Sequence, residues 1–196
     1  MGNLLSSLEM KSLIVNWIDG NQISYNENNL PYYFKLILHG TQDGTLRAVF
    51  KEKCYNIEQT VVIMRLKETR ELIGGYNPLC WNIKEKSLDY WIETDRSFIF
   101  KIDENQINNS ILSRVKKPNR AIYHYGITEE FIQDGIRFHE RLMSFSALDI
   151  VNSVNNEPYC FYQYYSYENK LNLTNKDKHV HLLEEYEVYK LVKTNQ

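Results

Sequence analysis

The chain has 196 residues, 43% of them hydrophobic and 13% aromatic, with a formal charge of −2 and a pI near 6.2. That length and composition suit one globular domain with its own core, and the charge removes the basis for wrapping nucleic acid, which depends on clustered lysine and arginine. Three cysteines, Cys54, Cys80 and Cys160, are odd in number and form no Cys-x-x-Cys pair; this favours a reducing, intracellular compartment, and no run of about 18 apolar residues offers a membrane span.

The first six residues, Met1-Gly2-Asn3-Leu4-Leu5-Ser6, satisfy the acceptor pattern for N-myristoylation at Gly2. Ser6 is equally accounted for as a helix cap, and one acyl chain without a polybasic neighbour permits only reversible membrane contact. A helix over 4–19 follows, with Met10, Leu13, Ile14, Trp17 and Ile18 on one face, Ser6 and Glu9 spaced as a capping box, and Gly20 as the stop. Asn21 to Leu30 reads as a polar loop, and Pro31 opens a strand from Tyr32 to Leu38. Asp43 can cap a second helix in which Leu46, Val49, Phe50 and Cys54 face inward, while Lys51 and Lys53 face out near its C-terminus, where positive charge suits the helix dipole.

From there the signals are β: residues 60–66, 71–76, 97–102, 120–125, 158–167 and 185–192. The first two form a hairpin, Thr60 to Leu66 turning through Lys67-Glu-Thr-Arg70 onto Glu71 to Ile73; Gly74 and Gly75 supply two positions free of a Cβ penalty, and Pro78 ends the strand. The expected fold is α+β: two antiparallel β-sheets packed as a sandwich, flanked by two or three helices, in a single domain over 1–196 with the sandwich core at about 32–192. In the aromatic run Tyr159 to Tyr167, one face is expected to fill the core and the other to pack a helix.

Candidate chemistry is sparse. Cys54 falls at a helix C-terminus, where the dipole disfavours a thiolate; Cys80, beside Trp81, is the better redox candidate, and Cys160 sits in the aromatic strand. His179 and His181 could begin a zinc site, but nothing completes the spacing and both are expected at the surface, so no metal and no cofactor is expected. There is no nucleophile elbow, zincin motif or Walker loop. Asp43, Asp95 and Glu187 could do acid–base work if they converge; separately they read as a helix cap, a turn residue and a hydrogen-bond acceptor.

Several of these segments together carry a likeness. Leu72-Ile-Gly-Gly-Tyr-Asn-Pro-Leu-Cys-Trp81, followed by Thr94-Asp-Arg-Ser-Phe-Ile-Phe100, resembles the core of the TLDc domain, the module of the oxidation-resistance proteins. Phe34 to Gly44 upstream, and Ile111 to Val115, Ala121 to Tyr123 and Glu184 to Tyr189 downstream, resemble the same family in order and spacing, so the likeness spans roughly residues 4 to 192. Over 124–157 the chain departs from it, carrying Gly126-Ile-Thr-Glu-Glu-Phe-Ile-Gln-Asp-Gly135 where the family usually has a Gly-rich Phe-Gly segment. The positions that match family motifs are Asp43, Gly44, Gly74, Gly75, Tyr76, Pro78, Trp81, Asp95 and Glu187, in structural or binding roles. The resemblance implies a non-enzymatic binding module that protects against oxidative stress by binding subunits of the vacuolar-type proton ATPase and disassembling or inhibiting it. It also implies a cytoplasmic monomer, peripheral to vacuolar or lysosomal membranes or mitochondrial. Two alternatives stay open: an enzyme, either a thiol peroxide scavenger or a carboxylate hydrolase, and an adaptor unconnected to the pump.

Overall fold

The computed structural model describes residues 3–44, 47–81, 90–124, 140–145, 148–152, 158–162, 166–175 and 180–194, with backbone alone at 47, 140–144, 148–152 and 161. Helix α1 (Leu8–Asp19) forms on the expected stripe: Met10, Ile14 and Val15 are buried, and Trp17 and Ile18 pack against the same cluster. Its start is later than expected. Ser7, not Ser6, accepts the Met10 N–H at 3.1 Å, which leaves Glu9 one position short of a reciprocal capping box. Leu4 and Leu5 are thereby released from the helix and buried in a bend that leads into it. Gly20, at φ +69, stops the helix in the left-handed conformation.

Strand β1 (Tyr32–His39) leads into the short α2 (Gly40–Asp43) and then α3 (Arg47–Cys54). Asp43 does not cap α3 as the sequence suggests. It ends α2, and its carboxylate turns back to accept the His39 N–H at 2.8 Å and the Lys53 ammonium at 2.8 Å. Phe50 and Cys54 are buried and Val49 is partly buried, as expected; Leu46 lies outside the described residues.

The remaining strands are β2 (Thr60–Leu66), β3 (Leu72–Asn77), β4 (Tyr90–Ile92), β5 (Phe98–Ile102), β6 (Ile111–Arg114), β7 (Ile122–His124), β8 (Glu140–Ser144), β9 (Leu148–Asn152), β10 (Pro158–Tyr162) and β11 (Val180–Lys193). All pairings are antiparallel. The main sheet runs β6-β5-β3-β2-β11-β10-β9-β8 with β1 also on β11, and β4 pairs with β7 separately. The 14-residue β11 is the corner strand: Val180 to Leu182 pair with β10, Leu183 to Lys190 with β2, and Glu187 to Lys193 with β1. A bulge between Leu183 and Glu185 lies where the partners change, the usual device for a strand that serves two sheets.

Two cores result. One face of the β1-β11-β2-β3-β5 array packs α1 through Val61, Ile63, Phe98, Phe100 and Leu191. The opposite face buries Val62, Met64, Ile73, Ile99 and Val188 against Phe50 of α3, Phe145 beyond β8, Cys160 of β10 and Tyr167. This is an α+β sandwich with flanking helices. The aromatic run is not one strand: β10 ends at Tyr162, residues 163–165 lie outside the described residues, and Tyr167 rejoins through an isolated bridge to Val115, its hydroxyl on the Ala121 carbonyl at 2.9 Å. No helix among the described residues is long and apolar enough to cross a membrane.

The β2–β3 hairpin closes as expected, with the Arg70 N–H on Leu66 O at 3.0 Å and Arg70 itself at φ +64. Glu71, just beyond the turn, accepts from the Lys101 ammonium at 2.6 Å and from the Thr174 N–H and hydroxyl at 3.1 and 2.9 Å, tying the 171–175 segment to β3 and β5. Burial alone would raise its pKa, but the bonds led by Lys101 hold it below the ordinary carboxylate value. A depressed folded pKa contributes stability above the unfolded value of about 4.3, and that stability is lost as the pH falls through the folded one. Glu71→Gln is therefore expected to lower the urea midpoint at neutral pH and to converge on the parent chain in acid, once the pH is below the folded pKa. Midpoints separated equally at every pH would contradict that role.

Candidate functional site

The densest set of buried ionisable groups among the described residues lies where β1 ends against the middle of β11, and a bulge in β1 completes it. Along β1, Tyr32, Phe34 and Leu36 face α1, so plain alternation would send Leu38 the same way and turn His39 to the other core. The register instead slips between Leu36, opposite Tyr189, and Leu38, opposite Val188. Leu38 enters the other core and His39 comes to stand directly across from Glu187. On β11, Glu185 and Glu187 share a face by plain alternation, and the Leu183/Glu185 bulge sends Leu183 to the core that holds Tyr186. Gly40 makes room at the corner, since a Cβ there would lie 2.6 Å from the Tyr186 ring and 2.9 Å from Glu185 Oε1.

His39, Glu185 and Glu187 are 5%, 4% and 0% exposed. His39 Nδ1 lies 3.1 Å from Glu185 Oε2, and His39 Nε2 lies 3.5 Å from Glu187 Oε1. Glu185 also accepts the Thr41 N–H at 3.0 Å, the Tyr186 N–H at 2.8 Å and the Thr41 hydroxyl. Glu187 Oε2 accepts the Leu4 N–H at 2.9 Å and the Tyr189 hydroxyl at 2.5 Å. Burial first, and then the Glu187 carboxylate, push the Tyr189 hydroxyl up in pKa, so it stays a donor. At the rim, Lys53 and then the His39 N–H hold the Asp43 carboxyl below its usual value. The carboxylates thus receive N–H and O–H donors from the N-terminal segment, the β1–α2 corner and β11. They clamp three separate pieces of chain together, and no atom of Glu187 is open to a substrate.

Of the three acidic residues singled out from sequence, His39 joins two: its backbone donates to Asp43 and its ring faces Glu187. Asp95 lies on an exposed bend before β5 and makes none of these contacts. Gly44 closes α2 at φ +102, a conformation that favours glycine. Gly74 and Gly75 have no positive φ; they are glycines because of crowding, a Cβ on Gly74 meeting the Val62 carbonyl and the Phe100 ring, and one on Gly75 meeting the Phe145 ring at 2.7 Å. Tyr76 is buried with its ring 5.3 Å from Phe98, and Pro78 follows the last residue of β3. Trp81 is buried on Phe50 and Phe145 and donates Nε1–H to Thr60 Oγ1 at 3.0 Å. The family motif is therefore interior through most of its length.

The Cys80 thiol is half-buried, 3.8 Å from Glu58 Oε1, and pushed up first by burial and then by that carboxylate, the reverse of activation. Burial pushes Cys54 up to about 12 against the pull of Lys53. His181 is buried opposite Cys160, a correction to the surface position expected for it; His179 and Gly2 lie outside the described residues. Among the described residues no group of three His, Cys, Asp or Glu is placed to hold a metal ion. Sequence reasoning missed His39, Thr41 and Glu185. The available signal was Glu184-Glu185-x-Glu187 inside a strand otherwise built for burial, since carboxylates there must find donors.

The family model described as TLD, TLDc domain, matches residues 8–192 of this chain. No curated protein matches it.

Proposed function

Since the chain belongs to the TLDc domain family over nearly its whole length, we propose that it is a non-enzymatic binding module that serves protection against oxidative stress by binding a vacuolar-type proton ATPase and inhibiting or disassembling it. The observation that carries this reading is the near full-length match, which takes in every described strand. The buried ionisable groups support a binding role over a chemical one: Glu185 and Oε2 of Glu187 accept from donors of their own chain, Glu187 is closed to solvent, and the Cys54 and Cys80 thiols are held protonated. A cytoplasmic monomer acting at the membrane-peripheral sector of the pump follows from the same reading, with Gly2 acylation as an added anchor.

The test is ATP hydrolysis by the purified pump, with its assembly followed on native gels before and after adding the recombinant chain. Loss of hydrolysis with release of the peripheral sector is the expected result, and Cys80→Ser should inhibit as well as the parent. A folded chain that neither binds the pump nor changes its turnover would overturn the proposal. Inhibition abolished by Cys80→Ser alone would move the mechanism to thiol chemistry.

A further inference from the structure

On the face of β11 opposite Glu187, the register sets Lys190 directly across from Lys35 and Val192 directly across from Tyr33. Like charges facing each other across a ladder destabilise it, and among the described residues no carboxylate pairs with Lys35 or Lys190. Lysine on an edge strand is a common guard against strand addition, which would account for Lys35, because β1 pairs only with β11 among the described residues. It does not account for Lys190, since β11 is bordered by β1 on one side and β2 on the other. Tyr33 is 62% exposed and Val192 39%, so the lysine pair adjoins an apolar ridge.

That face opens into a cleft of about 440 Å³ lined by Glu58, Gln59 and Cys80 on one side and by Lys190, Val192 and Lys193 on the other. Among the described residues that line it, Glu58 is the single acid against the two lysines Lys190 and Lys193. The cations of the β1–β11 face are the lysines Lys35 and Lys190, point charges that stand opposite each other across the ladder. They form no converging arginine fork or glycine-rich nest of the kind that grips a compact phosphate. An extended chain laid along these strands would set a carboxylate over the lysine pair and, two residues on, an apolar side chain over Tyr33 and Val192.

We propose that the Tyr33–Lys35–Lys190–Val192 face docks an extended acidic peptide segment of a partner protein. The inference stands apart from the ATPase reading and does not rest on it.

The probe is a fluorescein-labelled peptide of about ten residues, alternating glutamate with small residues around a central phenylalanine, read by anisotropy. The parent chain is expected to bind it, more weakly as salt is raised, and not to bind the same peptide with lysine for glutamate. Lys35→Glu and Lys190→Glu should each weaken binding about fivefold to tenfold, and Tyr33→Ala less. Lys35→Glu should also raise the melting temperature, because a repulsive cross-strand pair becomes an ion pair; this separates lost binding from lost folding. The proposal is overturned if the folded parent ignores the acidic peptide, if both charge reversals leave affinity unchanged, or if Lys35→Glu melts lower. Binding to phosphatidylserine vesicles without binding to the peptide would overturn it too, assigning the patch to a membrane surface.

Discussion

Gly74→Ala is expected to destabilise the chain by about 3 kcal/mol or more, which for a protein of this length lowers the melting temperature by about 6–12 °C. Gly74 lies in β3 directly across from Ile63 of β2 on one side and Phe100 of β5 on the other. A Cβ there would overlap the Val62 carbonyl oxygen and come within 2.6 Å of the Phe100 ring. The carbonyl belongs to a strand that β11 holds from its far side, so it cannot move away without breaking a second ladder. Gly75→Ala should cost less, because the atoms nearest to its Cβ are those of the Phe145 ring, a side chain able to rotate. Part of that smaller loss should return in the double variant Gly75→Ala, Phe145→Leu, since the two positions share one contact. Thermal melts of the four proteins decide the matter. A Gly74→Ala chain that melts with the parent would mean that the sheet has slack the packing does not suggest.

Glu187→Ala is expected to cost about 3–5 kcal/mol, the usual penalty for removing one partner of a buried ionic cluster. It would strand the Leu4 N–H and the Tyr189 hydroxyl at a site closed to water, and leave His39 with Glu185 alone. Glu187→Gln keeps the shape and one carbonyl acceptor, and should cost about 1–2 kcal/mol. Urea midpoints measure both. Hydrogen exchange adds a local reading, because the Leu4 amide is tied to Glu187 itself: its exchange should accelerate in Glu187→Ala by more than the global loss explains, and little in Glu187→Gln. Equal midpoints for the alanine variant and the parent would show that the carboxylate does not clamp the N-terminal segment.

Much of this architecture is legible in local pattern. The α1 stripe, the Gly20 stop, the β2–β3 hairpin and the end of β3 at Pro78 each rest on a few adjacent residues whose backbone preferences agree with their burial. The segments matching the TLDc core carried the fold class and the family. Strands β8 and β9 had no comparable signal, because they fall in the stretch where the chain departs from the family pattern, and β4 is only three residues long.

The site divides the same way. Sequence by itself determined that Glu187 and Asp43 are acidic residues in conspicuous settings, that Gly74 and Gly75 interrupt a β-branched hairpin, and that no familiar catalytic motif is present. Only the tertiary structure decided what those residues do. One bulge in β1 reverses the facing of His39 and another in β11 that of Leu183, and a slip of a single residue leaves no trace in composition or periodicity. The glycines are required by the Val62 carbonyl and the Phe100 and Phe145 rings, atoms brought from other strands and from the chain beyond β8. Lys35 and Lys190 are 155 positions apart in the chain and become neighbours through strand register alone. Facing and register are long-range properties of the ladder, set by how distant strands align, so they become readable once those strands are paired.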